Sequence, residues 1–244
     1  MRVSNHLVNI GAVPRQALLA RRPAKTRTVP TRDAARTQAA ILAAATHEFA
    51  KFGLGGARVD RIATRACANK RMLYYYFGDK ESLFLAVLER AYEHIRGEEQ
   101  TLRLTDLAPA EGVAKLVAFT WNYFLAHPEF MTLLNSENLH EARHLRRSGK
   151  IRAMHSPLIA TLSEVLERGA RSGDFREGVD PVQLYVSIAA LGYFYLSNKH
   201  TLSTIFGRDL ATPRAKAARL AHIQSLVQGY LRPASKVDAR RART

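Results

Sequence analysis

Three groups of side chains in this 244-residue chain have types and spacings that could do chemistry. The first is Asn69-Lys70-Arg71, followed by Tyr74-Tyr75-Tyr76, with Arg58 upstream and Lys80 downstream. Cations and phenols on one short helix suit the edges of bases and the phosphates beside them. An arginine can fork onto guanine O6/N7, and a tyrosine ring can meet a thymine methyl. The second is His140-Glu141-Ala142-Arg143-His144, a literal His-Glu-x-x-His. On a helix that pattern puts two imidazoles one turn apart for Zn²⁺, with the glutamate as base. The third is a scatter of aromatic and polar residues, Trp121, Phe124, Glu137, His140, His155, Tyr193 and Asn198. Apolar walls with a few polar anchors are what a small-molecule pocket needs, although an ordinary helical core contains the same types.

The elements that position the first group are readable from periodicity. Val59, Ile62, Ala63 and Ala66 repeat at i, i+3, i+4 and i+7, which predicts a short amphipathic helix. Asn69 is a good N-cap for a second one, whose apolar residues Leu73 and Phe77 face one way. Lys70, Arg71, Tyr74 and Tyr75 face elsewhere. Two short helices joined by a tight turn, with cations and phenols presented outward, make a helix-turn-helix. Of the three adjacent tyrosines, Tyr76 is expected to pack sideways, because three consecutive helical positions cannot all point at DNA. Upstream, Ile41, Ala45, Phe49 and Phe52 build the buried face of a helix over 33–52, and Gly53 ends it.

These residues resemble the tetracycline-repressor (TetR/AcrR-type) family of bacterial transcriptional regulators. The resemblance rests on Ile62-Ala63, Arg65-Ala66-Cys67, Leu73-Tyr74-Tyr75-Tyr76-Phe77 and Lys80, in that order, and is close over 33–92. It implies an all-α protein: an N-terminal three-helix DNA-binding domain with a helix-turn-helix, then a larger helical ligand-binding and dimerisation domain. It further implies a homodimer on a double-stranded DNA operator, controlled by a small-molecule effector. Cys67 and Arg71 stand where the family usually has glycine, Asn69 replaces a usual serine, and Arg58 sits where Ser or Thr often caps. Arg71 and Met72 therefore change the reading face.

Charge sharpens the division of the chain. Residues 1–32 carry seven basic residues and no acid, and 232–244 carry five basic and one acidic. The 33–80 segment holds eight basic and four acidic residues, whereas 81–231 is nearly balanced, with 17 and 16. Positive charge thus concentrates on the two tails and the reader, which fits phosphate binding at one end. The segments read as a basic arm over 1–32, a DNA-binding domain over 33–80, an effector and dimerisation domain over 81–231 and a basic tail over 232–244. One cysteine leaves no internal disulfide framework and suits a reducing cytoplasm. No apolar run is long enough for a transmembrane helix, so no membrane partner is expected.

Beyond Gly78 the pattern predicts further helices: one starting at Asp79 and linking both halves, then 109–126, 129–145, 152–171, 182–196 and a last one after Thr212-Pro213. Asp180-Pro181 and Thr212-Pro213 are strong start signals, with proline at the first helical position. The 182–196 segment is apolar on more than one face, which points to deep burial or a partner copy. The His-Glu-x-x-His stretch falls inside the helix predicted over 129–145. No third ligand follows at metalloprotease spacing, and Arg143, Arg146 and Arg147 make the surroundings cationic. No metal, cofactor or catalytic residue is therefore assigned. The alternatives to a ligand-responsive regulator, most naturally a repressor, are a zinc metallohydrolase using that motif and an architectural DNA binder using the basic tails.

Overall fold

A computed structural model describes residues 32–233; the bulk of the two basic tails lies outside the described residues. The described chain is all-helical: α1 (Arg32–Gly56), α2 (Val59–Arg65), α3 (Lys70–Phe77), α4 (Lys80–Gln100), α5 (Pro109–Ala126), α6 (Pro128–Leu139), α7 (Gly149–Ser172), α8 (Pro181–Ser197), α9 (Lys199–Phe206) and α10 (Pro213–Leu231). Among the described residues, no helix is long and apolar enough to cross a membrane.

Local chemistry explains the boundaries. Asn69 accepts from the Met72 amide (2.9 Å) to start α3, and Asp79 accepts from the Ser82 amide (2.7 Å) to start α4. Asp180 takes the amides of Val182 and Gln183, and Thr212 that of Ala215. In each case a side-chain oxygen satisfies donors that the first helical turn leaves orphaned.

Two hydrophobic clusters follow. The first gathers Ile41, Ala45, Phe49, Ile62, Leu73, Leu83 and Phe84, with Phe49 and Phe84 meeting edge to face at 5.1 Å. It reaches Leu133 of α6 and Ile151 of α7, so the first four helices are seated on the rest of the chain. The second gathers Val113, Leu116, Trp121, Leu162, Val165, Ile188 and Ile223 from α5, α7, α8 and α10. Helix α4 supplies Phe84 and Leu88 to the first and Ile95 to the second. Fully burying each such side chain is worth about 1.5–3 kcal/mol, so α4 is anchored strongly in both.

Four sequence expectations need correction. Phe52 is 41% exposed, because Gly53 adopts φ +63 and turns the chain away, and the Arg61 guanidinium stacks on the ring instead (4.3 Å). The helix expected over 129–145 stops at Leu139, since Glu141 and Ala142 both adopt positive φ. Helix α7 begins at Gly149 rather than at 152, and Pro157 lies in its interior. A separate helix, α9, follows α8.

Candidate functional site: the DNA reader and an inner polar cavity

Helices α2 and α3 form the expected helix-turn-helix. Between them Cys67 takes φ +50, the left-handed conformation that a glycine would adopt without strain. Leu73 is fully buried under the reader, and Tyr76 is half-buried against the same core. Tyr75 is 83% exposed, Tyr74 is 43% exposed, and Arg71 is exposed at the start of α3. Arg58 is exposed at the N-cap of α2, with no capping bond from its side chain.

Three predicted contacts are engaged within the protein. Asn69 spends its side-chain oxygen on the α3 cap. Lys70 pairs with Asp60 at 2.9 Å, and Lys80 donates to the Ala57 carbonyl at 3.1 Å. The Lys70–Asp60 pair is exposed, hence weak, and can be exchanged for phosphate. The scaffold behind the reader has a centre that sequence reasoning missed, Glu48 of α1. Its buried carboxylate accepts from the Arg58 amide (3.0 Å) and Arg61 Nε (2.6 Å). Burial works to raise its pKa, but the hydrogen bonds from Arg61 and Arg58 outweigh that and hold it below the usual value. Glu48 thereby locks α2 onto α1.

The residues considered for zinc are arranged otherwise. Ala142 and Glu141 form a left-handed turn, so the stretch has no helical face on which two imidazoles could be presented one turn apart. His144 is buried and its Nδ1 bonds Glu137 Oε2 at 2.6 Å. The other Glu137 oxygen accepts from the His144 and Leu145 amides, both at 2.9 Å. His140 Nδ1 faces the Ser136 carbonyl (2.7 Å), and the two imidazoles meet edge to face at 5.7 Å. Glu137 thus caps a tight turn, and the turn is fixed to α4 by the Arg143–Glu81 ion pair (2.7 Å) and the Ser148–Glu89 hydrogen bond (2.6 Å).

Of the predicted pocket residues, Trp121 and Phe124 are core. They pack where α5 meets α8, and a Cβ on Gly192 would sit only 3.6 Å from each ring. Asn198 bonds the Phe194 carbonyl at the α8–α9 junction, and Tyr193 donates to Asn135. His155 is part-buried against Tyr92, and burial, ahead of the Ile151 hydrogen bond that opposes it, lowers its pKa. Phe124 packs on Tyr193 at 6.2 Å, while Glu137, His140 and Asn198 are each engaged in local hydrogen bonds.

A cavity of about 320 Å³ lies instead between α4, the 103–106 turn and α7, lined by Arg96, Glu99, Arg103, Leu104, Met154 and Leu158 among others. Arg96 and Glu99 are buried. Arg96 Nη2 donates to the Tyr185 hydroxyl at 2.7 Å, and Nη1 lies 2.6 Å from Glu99 Oε2. That ion pair is close but poorly aligned: Arg96 Nε and Nη1 and both Glu99 oxygens lack a hydrogen-bond partner among the described residues. Burial pushes the Glu99 carboxyl up to about 7, against the pull of Arg96. Buried polar groups are normally satisfied, so unmet donors and acceptors beside a cavity mark a place for a polar ligand.

Comparison with known proteins agrees with this architecture. Residues 41–87 match the family described as bacterial regulatory proteins, tetR family, and residues 109–227 match the tetracyclin repressor-like C-terminal domain. The chain is 43% identical over 204 residues to the HTH-type transcriptional repressor NicS of Pseudomonas putida, covering 84% of this chain and 96% of that protein. The chain belongs to the TetR family. A second relative of this family, the HTH-type transcriptional repressor SCO4008 of Streptomyces coelicolor, is 34% identical over 57% of this chain and 69% of its own length. Among solved structures, the Streptomyces coelicolor regulator SCO4942 superposes with a TM-score of 0.61 at 28% identity, over 80% of this chain and 98% of its own. FadR of Bacillus subtilis, solved with stearoyl-CoA, shares the fold with a TM-score of 0.59 at 17% identity, over 79% of this chain and 98% of its own. The protein is therefore a transcriptional regulator of the TetR type.

Proposed function

We propose that this TetR-family chain is a homodimeric repressor that holds an approximately palindromic operator through α3 and releases it when a small molecule enters the Arg96 cavity. The observation that carries the reading is the path of α4. It starts under the reader with Leu83 and Phe84 in the first core, and about three turns later its Arg96 and Glu99 form the cavity wall. A ligand at Arg96 touches the same rigid element that seats the recognition helix.

On this reading Arg71 contacts base edges, and Tyr74 contacts a thymine methyl or a phosphate. Tyr75, Arg58, Lys70 and Lys80 serve backbone phosphates, while Asn69 keeps α3 capped. The effector-binding domain is 81–231 and the reader 33–80. Dimerisation uses α8 and α10: Val186 (52% exposed) and Phe194 (59% exposed) form an apolar stripe with Val182, beside Leu226 and Tyr230 of α10. Two copies would set two recognition helices about one DNA turn apart. FadR, with its acyl-CoA, shows that this fold can hold a small molecule; here the ligand is one that accepts hydrogen bonds from Arg96.

The test is a salt-resolved titration against DNA fragments from beside the protein's own gene. Wild type should bind one fragment tightly, and Arg71→Ala should weaken that complex by about 1–3 kcal/mol while sparing non-specific affinity. Equal, steeply salt-sensitive binding to every fragment would favour an architectural role instead. No binding to any DNA at low salt would overturn the reading.

A further inference from the structure

A second cluster lies on the opposite side of α4, where α4 meets the corner between α5 and α6. His94, Glu98 and His127 each offer one ligand atom there, and the three atoms lie within 4.8 Å of one another. His94 Nε2 is 3.5 Å from Glu98 Oε1, and the two imidazoles are 4.9 Å apart at 67°. A tetrahedral zinc ion, with bonds of about 2.0–2.2 Å, separates its ligand atoms by roughly 3.4 Å. The His94–Glu98 edge already has that length, and a small rotation of His127 closes the rest.

The far side of each ring is also provided for. His94 Nδ1 is 3.0 Å from the Tyr123 hydroxyl, and His127 Nδ1 is 3.1 Å from Glu129 Oε1. A metal-ligating histidine commonly donates its other N–H to an oxygen acceptor, which fixes the tautomer and turns the free lone pair toward the ion. Pro128 at the first position of α6 holds the corner that carries His127. An i,i+4 His–Glu pair alone would be a solvated surface contact. The imidazole arriving from another element, with its own carboxylate behind it, is what distinguishes this cluster. Arg90 lines the adjoining cleft, but the Glu98 and Glu129 carboxylates leave the locality favourable to a cation.

We propose that His94, Glu98 and His127 form a divalent-metal site of the zinc class, with water as the fourth ligand. The side chains of His94 and Glu98 are about half exposed, so the ion exchanges with solvent. Bound there, it ties α4 to the α5–α6 corner independently of the Arg96 cavity.

Full-length protein stripped with a chelator, its fold checked by circular dichroism, is titrated with Zn²⁺ against a chromophoric chelator and separately with Co²⁺. The expected result is one ion per chain, with the visible absorption of tetrahedral Co²⁺. Affinity should fall at least 10-fold in His127→Ala and in Glu98→Gln, and about 10-fold in Glu129→Gln, with His140→Ala unchanged. The proposal is overturned if the wild type takes up no ion, or if His127→Ala binds as wild type does. Operator binding is a separate readout, so its loss or retention bears on the regulator reading alone.

Discussion

Replacing Glu99 with glutamine should reshape how stability depends on pH. Glu99 is buried beside Arg96, and its carboxyl is pushed up to about 7 in the folded chain from 4.5 when free. Below pH 4.5 the group is protonated in both states and contributes no pH dependence. Between there and 7 the unfolded chain has lost the proton while the folded chain retains it, so rising pH favours unfolding. The difference corresponds to about 3 kcal/mol of stability, present at low pH and lost by the time pH passes 7. An amide of nearly the same shape cannot ionise, so Glu99→Gln should lack this decline. The assay is urea unfolding of both proteins from pH 4.5 to 8 at one fixed protein concentration, because the stability of the proposed dimer would depend on it. The difference between the two curves should grow by about 3 kcal/mol across that range, with the variant gaining at the alkaline end. Parallel curves would show that Glu99 is an ordinary ionised partner of Arg96, and the argument that Arg96 has donors to spare for a ligand would go with it.

Two further substitutions test the scaffold. Cys67→Gly should raise stability by up to about 1 kcal/mol, because the residue occupies φ +50 and the side chain is exposed, so little packing is lost; a lower melting temperature would show that the turn is unstrained. Glu137→Ala should cost about 3–5 kcal/mol in denaturant unfolding, since it strands the His144 and Leu145 amides and the His144 ring in a dry interior. A cost below about 1 kcal/mol would mean that the turn is held by its contacts to α4 instead.

How legible each part was depends on whether its signal is local. The reader was readable because residue types on two short helices, a capping asparagine and an amphipathic period all act within about 20 residues. The apolar character of α8 on more than one face was readable for the same reason. The end of α6 was not. Glu141 and Ala142 adopt left-handed backbone without a glycine to announce it, and what stabilises them is Glu137 reaching forward to two amides. The cavity was hidden more thoroughly. Arg96 and Glu99 lie three apart on a charged helix and read as a solvated ion pair until α7 and α8 cover them. Trp121 and Phe124 attracted attention because aromatic residues suit both pockets and cores, and both are buried where α5 packs on α8.

Coupling between cavity and reader requires that α4 move as one body, and its contacts favour that. Glu81, Glu89 and Glu93 lie on one stripe of α4, and each holds a residue of the segment after α6: Arg143, Ser148 and Lys150 in turn. Glu137 fixes the near end of that segment by bonding His144 and Leu145, and the His144 ring packs on Phe84 of α4 at 5.2 Å. The Ser136 hydroxyl, one residue away, accepts from the Leu54 amide at the end of α1. A displacement at Arg96 is passed on chiefly through the packing of the His144 ring on Phe84 and the buried Glu137 bonds, because the half-exposed Glu81 and Glu93 ion pairs hold only weakly. A ligand acts through that linkage only by the difference in its affinity for the two arrangements. The poorly aligned Arg96–Glu99 pair is suited to supply the difference, because a ligand that satisfies Arg96 in one position of α4 gains contacts that the other position denies it.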